Sequence, residues 1–255
     1  NKSRHTANHG PDVEIRGAAH HIGDYGDWAV ATAASHEYRP LHTRAVVFLR
    51  RQYLVAFDHI DTVDGEEHAA VLRFHLAARW QRRVQFSATS RWAIARTDGW
   101  DIHTAMSGQG EAEMQDGWVS TSYGVKTSAP VLTFTQRSKR PMTFCSLLFP
   151  SNTVSKVRAF APFQSDASSG VAAYRAEIEF GGDVHVDTFV FGHGQAGIHR
   201  DGNMRFEGRL LAYRQDQSGG LTYLHAAGPC RLKLPGDEHA VDRAGHIEWT
   251  APHKA

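Results

Sequence analysis

The chain has 255 residues, 41% of them hydrophobic, with 28 basic and 27 acidic side chains and a formal net charge of +1. That length suits one large all-β domain or two smaller ones, and no run approaches the roughly 20 apolar residues that cross a bilayer as a helix. The near-neutral balance argues against a general nucleic-acid binder, which carries a basic excess against phosphate, but leaves room for an acidic sugar held by a local basic patch.

In chain order, the dominant hydrophobic period is two. Residues 43–48 (TRAVVF) and 53–57 (YLVAF) are short runs rich in β-branched and aromatic residues around the polar turn Arg50-Arg51-Gln52, which predicts a hairpin. Residues 67–76 (EHAAVLRFHL), 83–87, 91–95, 118–123, 131–136 and 142–148 read as further strands. The segment 151–170, with Pro162 and a Ser/Asp/Gly cluster, reads as a long connection and a place where the domain subdivides. Residues 173–180, 184–191, 206–213 and 221–226 continue the pattern. Between the runs lie Asp64-Gly65, Asp98-Gly99, Asp116-Gly117, Gly181-Gly182, Asp201-Gly202 and Ser218-Gly219-Gly220, which supply the positive φ that tight hairpins need. The expected fold is an all-β antiparallel sandwich of the large two-sheet type, with few or no helices.

Of the 17 histidines, His42 and His75 make the sharpest constellation, together with Asp58. His42 opens one predicted strand, Asp58 closes the next, and His75 ends the one after. If these three strands are neighbours in one sheet, the side chains meet at one edge, and two imidazoles with a carboxylate suit Zn²⁺, with a fourth position for water or another ligand. The competing reading is strand-end polar residues satisfied by hydrogen bonds, and His68 is a rival third ligand. Arg39, Arg44 and Arg73 lie close in sequence to this group and are candidates to grip a uronate carboxylate or sulfate, or else form surface salt bridges. Asp183 and Asp187 do not read as a glycosidase pair. Trp28, Trp80, Trp92, Trp100, Trp118 and Tyr123 are either sugar platforms or, for most of them, core. Cys145 and Cys230 match no zinc or redox spacing, and are either a disulfide or two small buried hydrophobes.

The stretch 42–76, HTRAVVFLRRQYLVAFDHIDTVDGEEHAAVLRFHL, resembles the C-terminal β-domain of heparinase II/III-like polysaccharide lyases. So does 117–136, GWVSTSYGVKTSAPVLTFTQ, followed by the strand between Pro141 and Pro150. The opening SRHTANHGPDVEIRG is similar with a departure at Thr6, and 201–230 matches loosely. The resemblance implies a β-sandwich joined to an N-terminal (α/α) toroid. It implies cleavage of uronic-acid polysaccharides by β-elimination, in a periplasmic or secreted protein. It also implies a structural zinc on His42, Asp58 and His75, and a cleft histidine. Where some relatives carry that histidine, this chain has Pro40, which leaves His36, Tyr38 or His42 for the role. The chain opens on Asn1 and is expected to lack the toroid, hence to be inactive alone. The alternative is a non-catalytic carbohydrate-binding or envelope-structural β-sandwich.

Overall fold

The computed structural model describes residues 13–251 apart from 25, 36–37, 51, 63, 164–169, 194–196 and 243–244, and does not describe the side chains of Val13, Ser35, Tyr38 and Arg39. The first part of the chain forms β1 (Val13–Ile22), β2 (Gly26–Ser35), β3 (Tyr38–Leu49), β4 (Tyr53–Asp61) and β5 (His68–His75). A 3₁₀ turn, Ala78–Trp80, precedes β6 (Val84–Ser87), β7 (Trp92–Arg96), β8 (Asp101–Ser107), β9 (Glu111–Val119), β10 (Thr127–Ser138) and β11 (Met142–Ser151). The second part forms β12 (Ser155–Pro162), β13 (Val171–Phe180), β14 (Asp183–Gly192), β15 (Gly197–Asp201), β16 (Met204–Gln215), β17 (Leu221–Leu234), β18 (Asp237–Val241) and β19 (His246–Thr250). All the pairings are antiparallel, as expected. The segment 151–170, expected as a connection, instead contributes the end of β11 and all of β12, because Val157 and its neighbours pair with β13.

Three sheets stack in layers. The central sheet runs β1-β2-β3-β4-β11-β8-β7-β6, a small sheet runs β5-β10-β9, and a distal sheet runs β12-β13-β14-β16-β17-β18, with β15 on β16 and β19 on β17. Strand β11 shows why the central sheet is sandwiched on both faces. Its odd residues Cys145, Leu147 and Phe149 join the core shared with Tyr174, Phe189, Phe191 and Leu210 of the distal sheet. Its even residues Met142 and Phe144 join the core shared with Leu132 and Phe134 of the small sheet. A strand buried on both sides carries apolar residues at both parities, and MTFCSLLF does so.

The distal sheet curls over a core of its own, from Val190, Phe206, Leu211, Leu224 and Leu232. It can do so because β16 and β17 change partners halfway. The first half of β16 pairs with β15 and the second with β14, while β17 pairs first with β19 and then with β18.

One polar cluster ties the distal sheet to the central one. Arg214 makes two 2.7 Å hydrogen bonds to the two oxygens of Asp187, Tyr53 of β4 donates to the same carboxylate, and both charged groups are buried. A bidentate guanidinium satisfies the carboxylate without water. Cys145 and Cys230 are both free and buried, in different cores, so the hydrophobe reading of the pair holds.

Candidate functional site

The β3–β4 hairpin positions the group that drew attention in the sequence. The turn is closed by Gln52 N–H donating to the Leu49 carbonyl at 2.9 Å, with Arg50 at φ 48. The resulting register sets Arg44 directly opposite Asp58, and His42 opposite Ile60. All four side chains therefore lie on one face of the hairpin, His42 diagonal to the carboxylate. His42 Nε2 lies 2.6 Å from Asp58 Oδ1, and Arg44 Nε donates to the same oxygen at 2.7 Å.

Asp58 is 3% exposed, and its Oδ2 has no hydrogen-bond partner. Burial pushes its pKa up, but the hydrogen bonds from His42 and Arg44 and their charges outweigh burial and hold the carboxyl below the usual carboxylate range. An ionised carboxylate only accepts, so His42 donates from Nε2 and presents Nδ1 as the basic nitrogen. The His42 side chain is 30% exposed, so a ligand can reach it.

On the opposite face of β4, His59 accepts from or donates to Thr143 at 3.0 Å and stacks on His193, ring centroids 4.2 Å apart. Burial, then His193 and His42, push the His59 pKa down to about 4. Sequence reading passed over this pair, since His193 joins it only through the stacking of the central and distal sheets.

The expected zinc ligands do not come together. The strand after β4 in sequence is not its neighbour in space, because β5 pairs with β10 in the small sheet. On β5, Ala70, Leu72 and Phe74 face the core shared with the central sheet, so His75, one residue out of phase, is on the opposite face. It is exposed and bonds the Trp118 carbonyl at 3.0 Å. The rival, His68, pairs instead with Asp64 at 2.8 Å. The place of a third ligand on Asp58 is taken by Arg44, whose positive charge opposes a cation. Among the described residues no three His, Cys, Asp or Glu side chains are arranged to hold a metal ion. The residues present therefore do not fit the expected site.

Of the three candidate arginines, Arg44 is at the cluster, while Arg73 shares the outward, exposed face of β5 with His75. His36 and the side chains of Tyr38 and Arg39 lie outside the described residues. Trp28 is core and Trp80 and Trp92 are half-buried, whereas Trp100, Trp118 and Tyr123 are exposed, with the Lys126 ammonium 4.6 Å above the Trp118 ring. Among the described residues no helix is long and apolar enough to cross a membrane.

No protein-family profile matches the chain, and no curated protein does. Solved structures do. A heparinase III gene product superposes with a TM-score of 0.52 at 13% identity over 69% of this chain and 27% of its own. A second heparinase III structure gives 0.53 at 14%, over 69% and 27%. A heparan sulfate lyase mutant from Pedobacter heparinus gives 0.54 at 14%, over 69% and 29%. The chain thus shares the fold of part of these lyases, in line with the resemblance its sequence carries, and spans under a third of their length.

Proposed function

We propose that this chain is the β-domain of a polysaccharide lyase that cleaves uronic-acid-containing glycans by β-elimination, and that it needs a helical toroid domain to act. The observation that carries the reading is His42, a reachable imidazole oriented by a buried carboxylate, on a fold shared with heparinase III and heparan sulfate lyase structures. In β-elimination a base removes the proton on C5 of the uronate. The C–H electron pair becomes the C4–C5 double bond, and the glycosidic oxygen on C4 leaves with a proton from an acid. His42 Nδ1 is the base or acid this chain supplies, because Asp58 fixes the proton on Nε2 and stabilises the imidazolium that forms. Arg44, half-exposed beside it, offers a cation to the uronate carboxylate, which lowers the cost of charge built up at C5. The partner is an acidic polysaccharide, the setting periplasmic or secreted.

The test compares this chain with the same chain joined to its upstream sequence, on heparan sulfate and on alginate, by the ultraviolet absorbance of the conjugated unsaturated uronate. The joined protein is expected to form product and the isolated chain none. His42→Ala in the joined protein is expected to lower kcat by about 10²–10⁴-fold, the usual contribution of a general acid–base group. Unchanged kcat would remove His42 from the chemistry.

A second reading, a carbohydrate-binding module without catalysis, is favoured by exposed Trp118, Tyr123 and Lys126. It requires saccharide binding by the isolated chain that Trp118→Ala abolishes, and no product from the joined protein.

A further inference from the structure

Four titratable side chains meet where the central and distal sheets come together at their edges, away from the His42 cluster. His21 lies on β1, which among the described residues pairs with β2 alone; His225 lies on β17; His246 and Glu248 lie on β19, which among the described residues pairs with β17 alone. The His21 and His246 rings stack at 3.5 Å between centroids and 26° between planes. The His225 ring sits 5.8 Å from His21 and 6.1 Å from His246. His225 Nδ1 is 3.0 Å from Glu248 Oε1. The chain passes the cluster at Gly23, where a Cβ would stand 2.4 Å from Glu248 Oε1 and 2.9 Å from His21 Nε2. Other ionisable groups nearby are Tyr223, two residues along β17, and Arg50, whose guanidinium lies 6.0 Å from the Tyr223 ring centroid. Asp27, on β2, accepts from Gly23 N–H.

The proton inventory of this cluster leaves His225 no acceptor for a second proton, while His246 is exposed. His225 is 2% exposed and gives its Nδ1 proton to Glu248, while its Nε2 is buried without a partner, as is His21 Nε2. A second proton on His225, at Nε2, creates a buried, charged N–H with nothing to accept it beside other imidazoles, a cost that the Glu248 carboxylate on Nδ1 offsets only in part. Only separating the strands gives that proton water. We propose that His21, His225, His246 and Glu248 form an acid-sensitive latch that clasps edge strand β1 to edge strand β19 at neutral pH and releases them on mild acidification. The ligand of this site is the proton.

Burial, then His21 and His246, hold the closed-state pKa of His225 down to about 3, against about 6.5 in an opened state. The sign follows: the open state binds the extra proton between those values, so opening gains as pH falls below about 6.5. From His225 alone the opening equilibrium rises about 30-fold between pH 7.5 and pH 5.

The experiment is hydrogen–deuterium exchange of the purified chain at pH 7.5 and 5.0, corrected for intrinsic amide rates. Peptides covering β1 and β19 are expected to exchange about 30-fold faster at pH 5.0, while those of β4 and β11 keep their protection. His225→Phe, which has no nitrogen to protonate, is expected to flatten this dependence. Should that variant lose the protection of β4 and β11 at pH 7.5, His225→Gln, which keeps an amide donor for Glu248 and does not titrate, serves in its place. Equal protection of β1 and β19 at both pH values would overturn the latch. So would loss of protection in every strand together, or an unchanged pH dependence in a variant that folds.

Discussion

Asp58 carries more of the candidate site than any other side chain. It is nearly fully buried, it orients His42, and it neutralises Arg44 across the hairpin. With its folded pKa below the unfolded value of about 3.9, it contributes stability that is present above that pH and is lost as pH falls through the folded value. Urea midpoints measured from pH 6 to pH 2 are therefore expected to fall on the acid side in the wild type, with part of the fall missing in Asp58→Asn. The same substitution should cost about 1.5–3 kcal/mol near neutrality, because it weakens the hydrogen bonds that the buried carboxylate accepts from His42 and Arg44. An acid limb identical in both proteins would mean that Asp58 is not held ionised. The pairing of His42 with Asp58 was legible in the sequence, since two strand ends sixteen residues apart around a polar turn must return to the same edge. The place of Arg44 was not. Its partner was set by a register in which it, and not His42, stands directly opposite the carboxylate.

At the scale of the strand, the failure of His75 to join the group is a matter of sheet membership and of parity. Strand order along the chain predicted β5 beside β4. Long β11 takes that place instead, with seven residue pairs from Met142↔Ile60 to Leu148↔Leu54, and β5 is left to pair with β10 above it. Once the apolar residues Leu72 and Phe74 turn inward, His75 is committed to the outer face, because side chains alternate every residue. His75→Ala is accordingly expected to change stability by no more than about 0.5 kcal/mol, as exposed substitutions usually do, and added zinc is expected to leave the melting temperatures of variant and wild type equally unmoved. A zinc-dependent rise in the wild type that His75→Ala abolishes would show that this histidine does bind metal with its neighbours.

Across the whole molecule, the joint between central and distal sheets combines a large apolar core with a buried ion pair. Tyr53, Asp187, Arg214 and Gln52 come from β4, β14, β16 and the β3–β4 turn, up to 162 residues apart in the chain. Removing one charge leaves the other buried and unpaired, so Arg214→Met is expected to cost about 3–5 kcal/mol, while Asp187→Leu with Arg214→Met recovers much of the loss. Denaturant unfolding of the two single variants and the double variant measures that coupling. A double variant as unstable as the sum of the singles would place the stabilisation in packing around each residue separately.

The sequence by itself determined the all-β antiparallel fold, the β3–β4 hairpin, and the meeting of His42 with Asp58. These follow from local quantities: a hydrophobic period of two, turn residues able to adopt positive φ, and the short reach of a hairpin. Only the tertiary structure decided that there are three layers, that 155–162 is a strand rather than a connection, and that His75 faces away. It alone brought His59 to His193, and His21 to His225 and His246. Those outcomes depend on which strand fills the slot beside β4 and on how sheets stack. Both are settled by the joint burial of side chains far apart in the chain, and period and turn chemistry carry no record of that choice.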